Sequence, residues 1–215
     1  MKPKPARLSP AQYLEWEMKS SVKHEYVDGE VYATSGASRR HNIIATNLLR
    51  RAANAAADHG GCQVFGSDMR VQVDARNSYY YPDMSACCDP NDRDELYVTS
   101  PCLIIEVLSP STASIDRREK RASYATLSSL HEYVIVDQDR MRVELYRRES
   151  HGGWEGYVLN QPEDLIELTC LSLPLVLSQV YEGVDLPSGI TEPEPPEYEY
   201  AAFQRALTES GSPPN

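Results

Sequence analysis

Two acids and one lysine stand out by residue type and setting. Asp83 lies in a strand-like run, Tyr81-Pro-Asp-Met-Ser85, and Glu106 lies in Cys102-Leu-Ile-Ile-Glu-Val-Leu108, the most apolar stretch of the chain. Carboxylates are costly to desolvate and are almost never buried without a partner. If the two strands pair, the acids can face each other at one edge, where their repulsion calls for a cation between them. All-oxygen ligation suits Mg²⁺ or Mn²⁺, with water and substrate phosphate filling the remaining positions. The third residue is Lys120, on a segment that reads as a helix over about 117–128. There Lys120, Tyr124 and Leu127 share a face at i, i+4 and i+7, while Arg117, Arg118 and Arg121 fall elsewhere. A lysine aimed at the two acids would orient an attacking water and stabilise charge building on a phosphate. The plainer alternatives are an acid salt-bridged to an arginine and a lysine whose stem lies along the surface with its head in water.

These residues need elements to hold them. Ser9-Pro-Ala-Gln12 reads as a helix start, with Ser9 as cap and Gln12 closing a capping box. Asp28-Gly29 between short runs of Val and Tyr predicts a two-residue hairpin. From about Ser38 to Asp58 the apolar spacing is helical and ends at Gly60-Gly61. Strands are expected at Cys62–Phe65 and Met69–Val73, paired with one another, and at Tyr79–Cys88 and Pro101–Leu108 as a central pair. Tyr133–Asp137 and Met141–Tyr146 follow, joined by a turn. Near-continuous apolar residues mark 101–108 as buried on both faces. Strands in the middle with helices between them predict a mixed α/β domain over 9–182. Residues 1–8 read as a flexible arm and 183–215 as an acidic, Pro- and Glu-rich tail with a short helix at 198–209.

In order along the chain come Asp28-Gly-Glu30, His41 in the following helix, Pro82-Asp83, Glu106-Val-Leu-Ser-Pro-Ser-Thr112, Asp116-Arg-Arg-Glu-Lys120 with Tyr124, and Tyr133-Val-Ile-Val-Asp137. The series resembles the Uma-two family of restriction endonucleases, within the PD-(D/E)XK nuclease superfamily, over about residues 9–182. The resemblance implies a restriction-endonuclease-like fold, a central mixed β-sheet flanked by helices. It also implies a Mg²⁺-dependent phosphodiesterase site with Asp83 and Glu106 as metal ligands and Lys120 as the third catalytic group. The superfamily pattern puts that lysine two residues beyond the glutamate, where this chain has Leu108. Related families supply it from the next helix, where Lys120 stands. Supporting roles are open to Glu30 and Tyr124. His41 reads more readily as a core histidine than as a proton carrier, and Asp116 as a helix cap.

Composition sets the outer bounds. Of 215 residues, 41% are hydrophobic and 25% charged, ordinary for a folded soluble chain, and no apolar run is long enough to span a membrane. The basic start has no apolar segment behind it, so a secretory signal is not expected and the cytoplasm is. Five cysteines without a CxxC pair read as reduced thiols, and their spacing matches no familiar zinc site. A net charge of −11 opposes nucleic-acid binding, but residues 182–215 hold seven acids against Arg205, leaving −5 for the rest. Charge thus disfavours a nucleic-acid partner without excluding one; the resemblance implies DNA as substrate and a homodimer, each subunit addressing one strand, as the assembly. The rival expectation is a catalytically silent nucleic-acid or protein interaction module on a nuclease fold. Asp68 and Arg70 are expected to pair, and Arg39, Arg40, Arg50 and Arg51 offer a track for a phosphate backbone.

Overall fold

The computed structural model describes residues 7–34, 36–109 and 116–187, with the backbone alone at 116 and 117. Helix α1 (Pro10–Glu17) starts at the expected capping box, Ser9 and Gln12 each accepting from the other's backbone N–H. The hairpin β1 (His24–Val27) to β2 (Glu30–Ala33) turns on Asp28 and Gly29, both at positive φ, which is the conformation that Asp-Gly favours. Gly29 also lies so close to Arg7 that a Cβ there would sit 3.0 Å from the arginine Cβ. Helix α2 (Arg39–His59) is capped by Ser38 and ends at Gly60, φ 70°.

A six-stranded mixed sheet forms the centre. Its order is β11 (Trp154–Leu159), β10 (Val143–Arg148), β9 (Glu132–Asp137), β8 (Leu103–Leu108), β6 (Met84–Cys87) and β3 (Gln63–Gly66). Only β8 and β9 run parallel within it. Strand β8 is buried along its whole length, and its side chains divide between two cores. Leu103, Ile105 and Val107 pack with Ile44, Leu48 and Ala52 of α2 and with the hairpin β12 (Leu165–Leu168) to β13 (Leu173–Val176) and helix α4 (Leu177–Val180). Ile104 and Leu108 face the other way, against Tyr80, Tyr124 and Leu130. That second face is covered mainly by another sheet, of order β2-β1-β5 (Ser78–Tyr80)-β4 (Arg70–Val73)-β7 (Tyr97–Val98). Below it, Tyr13, Tyr26 and Tyr79 form a small aromatic core under α1.

Several local expectations need correction. The 62–65 and 69–73 strands do not pair with each other: β3 joins β6 in the central sheet, while β4 joins β5 and β7 in the second. The expected strand Tyr79–Cys88 is two strands in two sheets. Pro82 has no N–H to give a ladder, and the chain crosses between sheets at 81–83. The expected helix at 117–128 is a π-turn, Asp116–Lys120, followed by a single α-helical turn α3 (Arg121–Tyr124). Asp68 pairs with Lys23 at 2.7 Å, whereas Arg70 is buried and donates to the Leu96 carbonyl at 3.0 Å. Arg40 pairs with Asp139, and Arg50 and Arg51 with Glu182. The supposed phosphate track is thus largely neutralised from within. Four of the five cysteines are joined as Cys62–Cys88 and Cys102–Cys170, and Cys87 alone is a buried free thiol. The expected helix at 198–209 lies outside the described residues.

Candidate active site

Glu106 sits on the tyrosine-lined face of β8, because strand alternation sends it the same way as Ile104 and Leu108. Only 3% of it is exposed. Its Oε1 accepts from Lys120 Nζ at 3.2 Å and from Tyr124 Oη at 3.0 Å. Lys120, 5% exposed, also holds Glu25 Oε1 at 2.8 Å, and its amine stands 5.8 Å over the Tyr80 ring. One buried carboxylate, Glu106, and one partly exposed carboxylate, Glu25, thus share one buried ammonium. Removing one member of such a network strands a desolvated charge. Burial, then the Glu106 and Glu25 carboxylates, push the Tyr124 phenol well above its usual range, so it stays a hydrogen-bond donor.

Asp83 immediately precedes β6. The antiparallel register Met84↔Ile105 continues to place it across from Glu106. Its Oδ2 accepts from the Val107 N–H at 2.7 Å, one residue past Glu106, and lies 3.2 Å from His41 Nε2. Among the described residues, both of these contacts fall on Oδ2. His41 lies in the first turn of α2, where the helix N-terminus favours a nearby anion. His41 is largely buried, as expected of a satisfied histidine, and the partner that satisfies its ring is the Asp83 carboxylate.

The remaining expectations divide. Tyr124 reaches Glu106 directly. Glu30 shares a sheet face with Glu25, since Val27 opposes Glu30 and Glu25 opposes Tyr32, and its carboxylate accepts from Tyr32 Oη at 2.8 Å. The side chain of Asp116 lies outside the described residues. Glu25 is the residue that sequence reasoning missed. The signal was available, because an Asp28-Gly29 turn puts Glu25 and Glu30 on one face, but nothing in the sequence says that β1 lies beside β5 under Lys120. The Tyr81 backbone N–H also donates to Glu25 Oε1, at 3.2 Å. Tyr81 Oη donates to Glu17, and burial raises that phenol to about 12.

Comparison with known proteins shows the family and the fold. Uma2, a family described as "Putative restriction endonuclease", matches residues 10–178. The chain belongs to the Uma2 family. It is 38% identical over 180 residues to the uncharacterised protein slr1290 of Synechocystis, covering 83% of this chain and 93% of that one. It is 36% identical over 150 residues to sll1609 of the same organism, also uncharacterised, covering 68% and 84%. Among solved structures, a "putative nuclease belonging to DUF820" from Anabaena variabilis superposes with a TM-score of 0.63 at 17% identity, over 78% of this chain and 96% of that one. The fold is thus the mixed α/β, restriction-endonuclease-like fold of this Uma2 chain. No helix among its described residues is long and apolar enough to cross a membrane.

Proposed function

We propose that this Uma2 protein is a Mg²⁺- or Mn²⁺-dependent endonuclease that hydrolyses DNA phosphodiester bonds. The observation that carries the reading is the buried Lys120–Glu106 contact at 3.2 Å, made by a lysine from the segment after β8 rather than from β8 itself. Asp83 and Glu106 are the residues that would hold the cation. They fit it: their donors are hard carboxylate oxygens, fixed at the paired ends of two buried strands. A divalent cation bound there supplies Lewis-acid charge and makes water a nucleophile near neutral pH. Val107 N–H and His41 hold the Asp83 carboxylate, and Tyr124 holds that of Glu106. Glu25 keeps the Lys120 amine beside Glu106, where it orients the attacking water and offsets charge on the phosphate. Water adds to phosphorus as the bond to the departing oxygen breaks. A homodimer would present one such site to each strand.

One observation favours a second reading. Glu25, Lys120 and Glu106 satisfy each other as an ion triad, which a catalytically silent interaction module would also retain. Plasmid nicking separates the two. Purified protein is expected to nick supercoiled DNA with Mg²⁺ or Mn²⁺, and Glu106→Ala to stop it. Calorimetry with Mn²⁺ should show binding lost in Asp83→Ala. Neither nicking nor Asp83-dependent Mn²⁺ binding at millimolar metal would leave the silent module.

A further inference from the structure

At the opposite end of the strands that carry Asp83 and Glu106, three sulfurs converge and a fourth, that of Cys62, is bonded to one of them. Cys62 precedes β3, Cys88 follows β6, Cys102 precedes β8, and Cys170 lies in the turn between β12 and β13. The Sγ atoms of Cys88, Cys102 and Cys170 all lie within 4.8 Å of one another, and Cys88 Sγ is 3.4 Å from Cys102 Sγ. Cys62 Sγ, bonded to Cys88, is 3.7 Å from the Cys170 carbonyl oxygen, as is Cys88 Sγ. We propose that Cys62, Cys88, Cys102 and Cys170 form a tetrathiolate site for one soft divalent cation of the Zn²⁺ type, and that the two disulfides are its oxidised, metal-free form.

The argument is geometric and chemical. A disulfide acts through the loop it closes, so two stapling disulfides gain nothing from sulfur-to-sulfur contact with each other. A tetrahedral site requires that contact, since zinc–sulfur bonds of about 2.3 Å put ligand sulfurs about 3.8 Å apart. The donors are soft thiolates with no carboxylate among the four, the set that selects Zn²⁺ over Mg²⁺. Cys102 is buried and the other three half-buried, so the cluster sits at the rim of the apolar core, where an ion can reach it. Cys87, next in sequence to Cys88, alternates to the other face, beside Asp92, and burial raises its thiol. It stands outside the cluster. Partners 26 and 68 residues apart explain why the spacing resembles no zinc motif: each ligand comes from a different element.

The conversion balances. The two disulfides take up four electrons and four protons from a dithiol reductant, which is oxidised to its own disulfides. The cation then displaces the four thiol protons as four metal–sulfur bonds form. In a reducing compartment the thiols are the persistent form.

The test uses the whole chain, reduced anaerobically with excess dithiol, freed of reductant and titrated with Co²⁺. One Co²⁺ per chain is expected, with the visible absorption of a tetrahedral ion and a near-ultraviolet thiolate-to-cobalt band, both abolished by Zn²⁺. Cys102→Ser and Cys170→Ser should each weaken Co²⁺ binding at least tenfold, whereas Cys87→Ser and Glu106→Ala leave the bands unchanged. Five titratable thiols without a thiolate–cobalt band in the wild-type chain would overturn the proposal. So would disulfides that survive excess dithiol, or bands that persist in both serine variants.

Discussion

Asp83 and Glu106 stand at one end of the β6–β8 pair, and Cys88 and Cys102 at the other. Four residue steps along the chain separate Glu106 from Cys102, roughly 13 Å at strand rise. The first end gathers carboxylate oxygens, an ammonium, an imidazole and a phenol; the second gathers sulfur. Hard donors with a shared lysine suit a cation that keeps water and meets phosphate. Soft donors drawn from four elements suit a cation that is wholly enclosed. On the two proposals made above, one strand pair carries an end for exchange and an end for closure. The difference lies in what surrounds each end. At the oxygen end, the chain leaves the sheet through the 81–83 crossover and the π-turn, which import Glu25 and Lys120 from outside the central sheet. At the sulfur end, three neighbouring strands and a hairpin turn simply meet.

The largest expected effect is at the oxygen end. Glu106→Ala should lower nicking more than about 100-fold, the upper range for altering even the outer shell of a metal site. Steady-state nicking at saturating Mn²⁺ measures it, and retention of activity would remove Glu106 from the metal. Next comes Lys120→Met, which leaves the buried Glu106 and the partly exposed Glu25 without their shared cation. A loss of about 3–5 kcal/mol in denaturant unfolding is expected. Adding Glu25→Gln should recover part of it; no recovery would show that the triad is not the source.

Tyr124→Phe is smaller. Losing a hydrogen bond to a carboxylate should cost about 1.5–3 kcal/mol at neutral pH. The phenol's pKa is raised on folding, so its contribution is whole below the unfolded value of about 10 and is lost as pH rises beyond it. Alkaline unfolding of the variant should therefore fall less steeply above pH 10 than that of wild type, as read by circular dichroism. The smallest effect tests whether the two ends are independent. In a cycle of Asp83→Ala and Cys88→Ser, stability changes should add to within about 0.5 kcal/mol, as for sites more than 10 Å apart. A larger coupling would mean that β6 and β8 transmit between them.

The sequence by itself determined what depends on near neighbours. Ser9 and Gln12 announce α1, Asp28-Gly29 makes the hairpin, Ser38 and Gly60 bound α2, and the apolar run around Glu106 is a strand buried on both faces, because caps, turns and burial are written within a few residues. The stripe of Lys120 and Tyr124 pointed to the sheet even though its helix is mostly a π-turn. Only the tertiary structure decided which strands are neighbours. Pro82 splits one apparent strand between two sheets, and that split brings β1, and with it Glu25, beside Lys120. The packing of α2 on the central sheet brings His41 to Asp83, and sheet order gathers Cys62, Cys88, Cys102 and Cys170 from distant positions. Contacts between residues far apart in the chain follow from how sheets stack and in what order strands pair, and no local pattern of residues records that order.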